Sequence, residues 1–535
     1  VSPDPTARFA ATGIAASALA LVVPFWNYLH FHRYSPVGSD ALAVAGALAL
    51  AGALIGAVVV RTHAAVARAL LTATLLFVSA DLFADIGGYH LVVFGVLLVA
   101  TWLLRVHVLG IVLAVLVAVL LSTIVAGGRE APAVQRANGQ PRRGTRPPLL
   151  HLIADEHIGV EGIPAAIPGG VEAKAALTAF YVEHGFRLYT RAYSRYHLTA
   201  DAIPNALNLS QRDTGGAWLG PGKVTFPAPL TKNAYFDRLS AAGFDVRSYQ
   251  PGFLDYCGTK GVAPVACFMV PANSVGNLPA LSLAWTARTR LLVQHWLANN
   301  SSLYALANAF YNERLRPALI ARHPPAPDWA RTTYPLGPAG GLRILQTIAR
   351  DIDTLPDLRG TAFFGHVLLP HAPYMLDAGC LVTSMLFDQP SQRELRQLHV
   401  SAQRRALYQR YWPQLRCLTA RVGALVGQLE ARGARDAVVI VHGDHGARIG
   451  APIPPVGQAF TREDFDDFYS TLFAVRAPGI VPGLDSSVVS VGELLAGLAA
   501  GDFSQVKVEP DPAPFVFRTG DEDSPRRVRA PIPPR

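Results

Sequence analysis

Three short stretches of the chain place carboxylates and imidazoles at the ends of apolar runs. The first is Asp155-Glu156-His157, which closes PLLHLIADEH. The second is His371, in the Pro370-His371-Ala372-Pro373-Tyr374 stretch at the end of TAFFGHVLLP. The third is His442-Gly443-Asp444-His445-Gly446, at the end of DAVVIVHGDHG. Oxygen and nitrogen donors of these kinds, brought together, suit a divalent metal ion. Asp444 and His445 are neighbours, so plain strand geometry would point them to opposite sides. The glycines on either side are expected to turn the backbone until both face one ion. Taken singly, an acidic strand end is ordinarily a turn or helix cap, and a lone histidine a satisfied polar residue. The three clusters together, in this order, are far more specific.

The elements that must position them follow from the same patterns. Each run is short, apolar and abruptly ended, as a buried parallel strand is. Residues 233–250 read as helix, a stop at Gly243, then strand; 343–355 and about 402–431 read as helices; 469–479 reads as another strand. Strands alternating with helices imply a mostly parallel sheet covered on both faces. Ligands in such sheets bind beyond the carboxyl ends of the strands, which is where the three clusters fall.

The front of the chain is different. Of 535 residues, 51% are hydrophobic and 16% charged, against about 25% charged in an ordinary soluble domain. This excludes a disordered chain or a coiled coil, and 46 Gly and 41 Pro without a triplet period exclude collagen. The net charge of +9 fits either nucleic acid or a membrane protein with basic helix ends. The apolar content favours the membrane, and no nucleic-acid partner is expected. Apolar segments occupy 7–30, 41–60, 64–86, 87–104 and 108–126. Each approaches the roughly 20 residues needed to cross a bilayer, so about five transmembrane helices are expected, the first a signal anchor. Arg8, Arg61, Arg68 and Arg105 fall on one side, and Asp81 and Asp85 at the opposite interface, which puts the N-terminus in the cytoplasm. The helix centres are nearly free of ionisable residues, which argues against a transporter. The expected organisation is a transmembrane domain over 1–127, a polar linker over 128–147 and an extracytoplasmic domain over 148–535, anchored in the inner membrane.

All four cysteines, Cys257, Cys267, Cys380 and Cys417, come after the membrane block, in a compartment where thiols pair. Three pairings exist. The short loop favours Cys257–Cys267, leaving Cys380–Cys417. A zinc site is the alternative, although no C-x₂-C spacing occurs.

LLHLIADEH, GHVLLPHAPYMLD and VVIVHGDHGAR resemble the metal-site strands of the sulfatase and alkaline phosphatase superfamily over about residues 148–480. Five helices before such a domain resemble its membrane-anchored branch, which includes lipoteichoic acid synthases and phosphoethanolamine transferases. YSRYHLTADAIPNALN (193–208) is similar to that branch's nucleophile segment. The resemblance implies an alkaline-phosphatase-like α/β domain, with Thr199 as metal-bound nucleophile and Asp155, Asp444 and His445 as metal ligands. It implies His371 on the substrate side, leaves Glu156 open as a further ligand or substrate contact, and sets His442 and Arg448 beside the transferred group. One divalent ion is expected there; one imidazole among oxygen ligands suits zinc or manganese best, with calcium the poorer alternative. The expected activity is transfer of a phospho-alcohol group from a membrane lipid to a cell-envelope glycan or lipid through phospho-Thr199. Phosphodiester or sulfate-ester hydrolysis and a non-enzymatic scaffold are the alternatives. Formylglycine sulfatases carry a C-x-P-S-R motif, and none of the four cysteines lies in one, so formylglycine chemistry is not expected.

Overall fold

Apolar runs long enough to cross a bilayer fold as five helices: α1 (Pro5–Phe31), α2 (Ser39–Arg61), α3 (Ala65–Phe83), α4 (His90–Leu104) and α5 (His107–Gly127). The computed structural model describes residues 5–83, 86–105, 107–127, 144–219, 227–258, 261, 264–272, 274–310, 336–383, 401–449, 453–454, 456–508, 511–519 and 527–534. Asp85 and most of the expected linker, 128–143, lie outside the described residues. Small residues bring α1 and α2 together. A side chain on Gly52 would collide with the Ser17 carbonyl, and one on Gly56 with Ile14. This four-residue glycine spacing is how membrane helices achieve backbone-close packing without a hydrophobic driving force.

The chain then alternates strand and helix. In order come β1 (Leu149–Ala154), α6 (Gly170–Glu183), β2 (Arg187–Tyr193), α7 (Thr199–Leu207), β3 (Ala228–Pro229), α8 (Ala234–Ala241), β4 (Asp245–Pro251), β5 (Leu254–Asp255) and β6 (Ala266–Val270). Next are α9 (Trp285–Asn300), α10 (Ser302–Phe310), α11 (Gly337–Thr354), β7 (Thr361–Val367), α12 (Ser401–Ala431), β8 (Val438–Gly443), α13 (Arg462–Phe468) and β9 (Phe473–Arg476). The order ends with β10 (Gly483–Ser490), α14 (Val491–Ala500), β11 (Phe515–Thr519) and β12 (Arg527–Pro531).

The described residues form two units. One holds α1–α5 and also Ser274–Pro279 and residues 283–310, which carry α9 and α10. That excursion comes from chain the sequence assigns to the outer domain. The other unit is built on an eight-stranded sheet of order β10-β2-β9-β8-β1-β7-β4-β6. All its pairings are parallel except those of β9, which runs antiparallel to both neighbours; the expected strand over 469–479 is therefore present but reversed and shorter. β1 is central, pairing Ile153 with His366 on β7 and with His442 on β8. Both faces of β1 and β8 are buried, which is why these strands read as continuous apolar runs. One face packs Leu149, Ile153 and Ile440 against Ile203 of α7, Phe236 of α8 and Leu494 of α14, while α11 packs against β7 and β4. The structure pairs Cys257 with Cys267 and Cys380 with Cys417. Asp255 clusters with the first pair, but bonded sulfurs are not thiolate ligands, so the cysteine zinc site is set aside.

Candidate metal centre and catalytic site

The carboxyl ends of three adjacent strands converge. β1 runs into Asp155, whose N–H donates to the Val367 carbonyl at the end of β7 (3.0 Å). β8 runs into Asp444 and His445. Ligand atoms of Asp155, Asp444 and His445 all lie within 4.8 Å of one another, and all three residues are buried. His445 Nε2 is 3.2 Å from Asp444 Oδ2 and 4.0 Å from Asp155 Oδ1. Thr199, the first residue of α7, brings its hydroxyl to 3.1 Å from the same nitrogen.

Glycine does a different job here from the one expected. Gly443 and Gly446 are not left-handed. They are small because of close approach: a side chain on Gly443 would strike Thr471, and one on Gly446 the Asp467 carbonyl. The left-handed residues are Glu156 (φ 60°) and Arg448 (φ 55°), side chains that disfavour that region and persist in it only where the surroundings hold them. The Glu156 turn is held on both sides. Its N–H donates to Asp444 Oδ1 (3.2 Å), and its carbonyl accepts from the Tyr411 hydroxyl (2.8 Å).

The donor set fits a cation. Asp444 Oδ1 accepts from the Glu156 and His445 N–H groups, which leaves Oδ2 facing the cluster. Asp155 Oδ1 and Asp444 Oδ2 are buried oxygens without a hydrogen-bond partner, a costly condition unless something positive sits between them. His445 Nδ1 lies 2.9 Å from the Gly446 carbonyl. A carbonyl only accepts, so Nδ1 carries the proton and Nε2 presents its lone pair to the two oxygens. Oxygens and a lone pair facing one another suit a divalent ion and repel without it.

The Glu156 carboxylate is engaged by the His371 loop. Its carboxylate accepts from the Ala372 N–H (3.3 Å) and lies 3.5 Å from His371 Nε2. Burial raises the Glu156 pKa. Burial opposes charge on His371, but Glu156 and Asp155 outweigh it and raise the His371 pKa. Burial also opposes charge on Asp155, yet His371, His366 and His445 hold its carboxyl well below the usual range. Asp444 goes the other way, raised by burial and by the Asp155 charge. Two adjacent carboxylates pushed in opposite directions are typical of a functional site.

Two residues that sequence reasoning missed, His366 and Tyr256, support Asp155. His366, on β7, donates from Nε2 to Asp155 Oδ2 (3.3 Å), and its Nδ1 accepts from the Tyr256 hydroxyl (2.9 Å). A histidine late in an apolar strand beside β1 was the available signal. His442, expected beside the transferred group, is instead packed in the sheet, stacked on Phe473 with centroids 5.7 Å apart and 4.9 Å from His151. Burial lowers its pKa to about 4, so it is a neutral core group beneath the site. Arg448 stays near the site, close enough to act electrostatically on Glu156 and His371.

No family model and no curated protein matches the chain. Solved structures are similar to it. A phosphonate monoester hydrolase of Agrobacterium radiobacter is 14% identical over 70% of this chain and 80% of its own, with a TM-score of 0.42. The C-terminal periplasmic domain of EcEptC from Escherichia coli, in complex with Zn, is 12% identical over 74% and 95%, at 0.39. A 2-O GAG sulfatase is 12% identical over 71% and 79%, at 0.40.

Proposed function

We propose that the chain is a membrane-bound, metal-dependent phosphotransferase that works through a covalent phospho-Thr199. The observation that carries this is the meeting of one hydroxyl with a buried ligand set: Thr199 Oγ1 lies 3.1 Å from His445 Nε2, beside Asp155 and Asp444. Asp155, Asp444, His445 and Thr199 would hold one divalent ion, zinc or manganese by the mix of one imidazole with oxygen donors. When bound, it supplies positive charge that lowers the pKa of a hydroxyl and offsets charge on a transferred phosphoryl group.

The residues then divide the work. Thr199 Oγ, its proton released to water beforehand, attacks phosphorus, forming the Oγ–P bond as the bond to the leaving alcohol oxygen breaks. His371, whose pKa Glu156 and Asp155 raise against the effect of burial, gives its proton to that oxygen. The acceptor hydroxyl then attacks phospho-Thr199, its proton passes to His371, and the Oγ–P bond breaks. His366 and the Glu156 N–H fix the two aspartates, so the ligand oxygens need no reorganisation.

A membrane lipid as donor and an envelope glycan or lipid as acceptor fit a domain preceded by five membrane-length helices, since anchoring concentrates both reactants. The test uses purified full-length protein, a phospholipid labelled in its head group and an envelope glycan fraction. Label moving to the glycan supports transfer. Label released only as a water-soluble phospho-alcohol makes the protein a hydrolase. No consumption of the lipid with zinc or manganese present rejects the reading.

A further inference from the structure

The helical unit has a buried carboxylate of its own at the end of α3. Asp81 is two residues from the end of α3 and 1% exposed. It accepts from the Ser301 hydroxyl (2.5 Å), the Ser302 hydroxyl, and the N–H groups of Ser302 (3.1 Å) and Leu303 (3.2 Å). Those N–H groups open α10. Ser301 already caps α10, its hydroxyl accepting from the Tyr304 N–H (3.0 Å), and a membrane helix thus adds acceptors for the two N–H groups that this cap leaves open. His90, the first residue of α4, lies 2.7 Å from the Ser302 hydroxyl. The preceding helix is held to the end of α1: Trp296 packs on Phe25 with centroids 4.9 Å apart, and His295 Nδ1 is 2.5 Å from the Tyr28 hydroxyl.

These contacts set the depth of α10. α1 and α3 stop, and α4 starts, at one end of the bundle, and α10 begins where α3 ends and α4 begins. That is the edge of the hydrocarbon layer for any bilayer these helices span. From this start α10 runs SLYALANAF without a charged residue. Leu306 and Phe310, four apart and so on one face, are 58% and 57% exposed. Tyr89, Leu91 and Val92, on and just before the helix that holds Ser302, are likewise exposed apolar groups, and on a membrane helix such groups face lipid. The α10 face begins at the same boundary and has the same chemistry.

We propose that α10 is an interfacial helix whose Leu306–Phe310 face is seated among the head groups and upper acyl chains of the bilayer that α3 and α4 enter. Lipid is the occupant because the face starts at the membrane boundary, continues a lipid-facing surface and offers no charge for a polar partner. The excursion carrying α9 and α10 is then a lipid-contacting part of the helical unit and not a loop in water.

Among the described residues all cysteines are in disulfides, so one added thiol can be labelled selectively. Leu306→Cys, Phe310→Cys and, as an aqueous control, Leu484→Cys on β10 (59% exposed) would each carry an environment-sensitive fluorophore. The full-length protein would be placed in nanodiscs of phosphatidylethanolamine and phosphatidylglycerol. At Leu306→Cys and Phe310→Cys, lipids brominated near the head group are expected to remove most of the emission and aqueous iodide little; at Leu484→Cys the reverse is expected. Iodide quenching at both α10 positions equal to the control would put the face in water. Protection from both quenchers would put it under protein. Either result overturns the proposal. Two independent positions keep it testable if one variant fails to fold, as judged by monodisperse elution.

Discussion

Gln414 clamps the loop that carries His371. Its Nε2 donates to the carbonyls of His371 (2.8 Å) and Pro370 (3.1 Å), while its Oε1 accepts from the N–H groups of Met375 (3.0 Å) and Leu376 (3.2 Å). The residue is fully buried. Tyr411, Gln414 and Cys417 lie every third residue on α12 and hold, in turn, the Glu156 turn, the His371 loop and Cys380. Gln414→Leu keeps the volume but leaves two N–H and two C=O groups unpaired, at about 1–3 kcal/mol for each group that water cannot reach. The variant is expected to melt several degrees lower and to lose kcat more than it raises KM. Thermal melts and initial rates check this; an unchanged melt and unchanged kcat would refute the clamp.

The raised pKa of His371 gives a pH signature. Its proton is held more tightly folded than unfolded, because Glu156 and Asp155 outweigh burial. This interaction therefore stabilises the fold below the unfolded histidine value of about 6.5 and fades as pH rises through the raised folded value. In metal-free protein, part of the stability should disappear on that alkaline side and be absent from His371→Asn. With His371 as proton donor, kcat should fall along an alkaline limb. Glu156→Gln removes the first of the supporting charges and should move that limb to lower pH. Denaturant melts and rate profiles from pH 5 to 10 would show it (these pH limits are roughly the span over which a shifted histidine titrates). A limb that stays put in Glu156→Gln refutes the pairing.

A threonine at the start of a helix commonly caps it, and the structure does not use Thr199 that way on α7. The helix is preceded by Leu198, which makes no side-chain cap, and the Thr199 hydroxyl is turned to His445. Thr199→Ala should therefore cost less than the about 1 kcal/mol of a lost cap, while abolishing turnover and covalent phosphate. Intact-mass analysis after incubation with donor, beside a melt, separates the roles. Near wild-type turnover by Thr199→Ala would sink the mechanism.

Much of this was legible because β1, β7 and β8 are buried on both faces, so their apolar runs and polar ends stand out in the sequence. Asp155, Asp444, His445 and His371 were visible for that reason, and so were five membrane-length runs. What was hidden depends on contacts between distant segments. Gln414 and Asp201 look like ordinary surface-helix polar residues until the fold closes on them. Asp81 read as an interfacial charge, and nothing local says that it caps a helix formed more than 200 residues later. His442 sits in a motif beside Asp444 and His445, but strand alternation sets its ring on the core face against His151 and Phe473.

The orphaned oxygens of Asp155 and Asp444 predict a metal effect on stability as well as rate. Chelation should lower the melting temperature, and zinc or manganese should restore it by mass action, about 2.7 kcal/mol at a hundredfold excess over Kd. His445→Ala should weaken binding at the centre, and its melt should respond less to added metal. Melts titrated with each ion, with bound metal counted by elemental analysis, test this. A melt indifferent to chelator and to both ions, with no metal bound, would remove the centre.

Asp201, two residues beyond Thr199, ties the start of α7 to distant chain. Oδ1 accepts from the Thr214 hydroxyl (2.9 Å) and the Gly215 N–H (2.8 Å), and Oδ2 accepts from Arg527 Nη2 (3.0 Å) and Nε (3.2 Å). Both side chains are nearly buried, at 8% and 11% exposure. Arg527 begins β12, so the β11–β12 pair reaches the helix that presents Thr199. Removing one member of a buried pair strands the other, at about 3–5 kcal/mol. Asp201→Ala should melt far lower, and Asp201→Asn, which keeps an acceptor for Thr214 and Gly215, should lie between. Coupling in the Asp201→Asn and Arg527→Lys cycle should fall within about 0.5–3 kcal/mol. If the latch positions Thr199, Asp201→Asn also lowers kcat at unchanged KM and unchanged metal content, because the ligand set does not include it. A variant that loses stability alone, with kcat intact, would make Asp201 a purely structural residue and leave the aim of Thr199 to the Ser194–Leu198 loop.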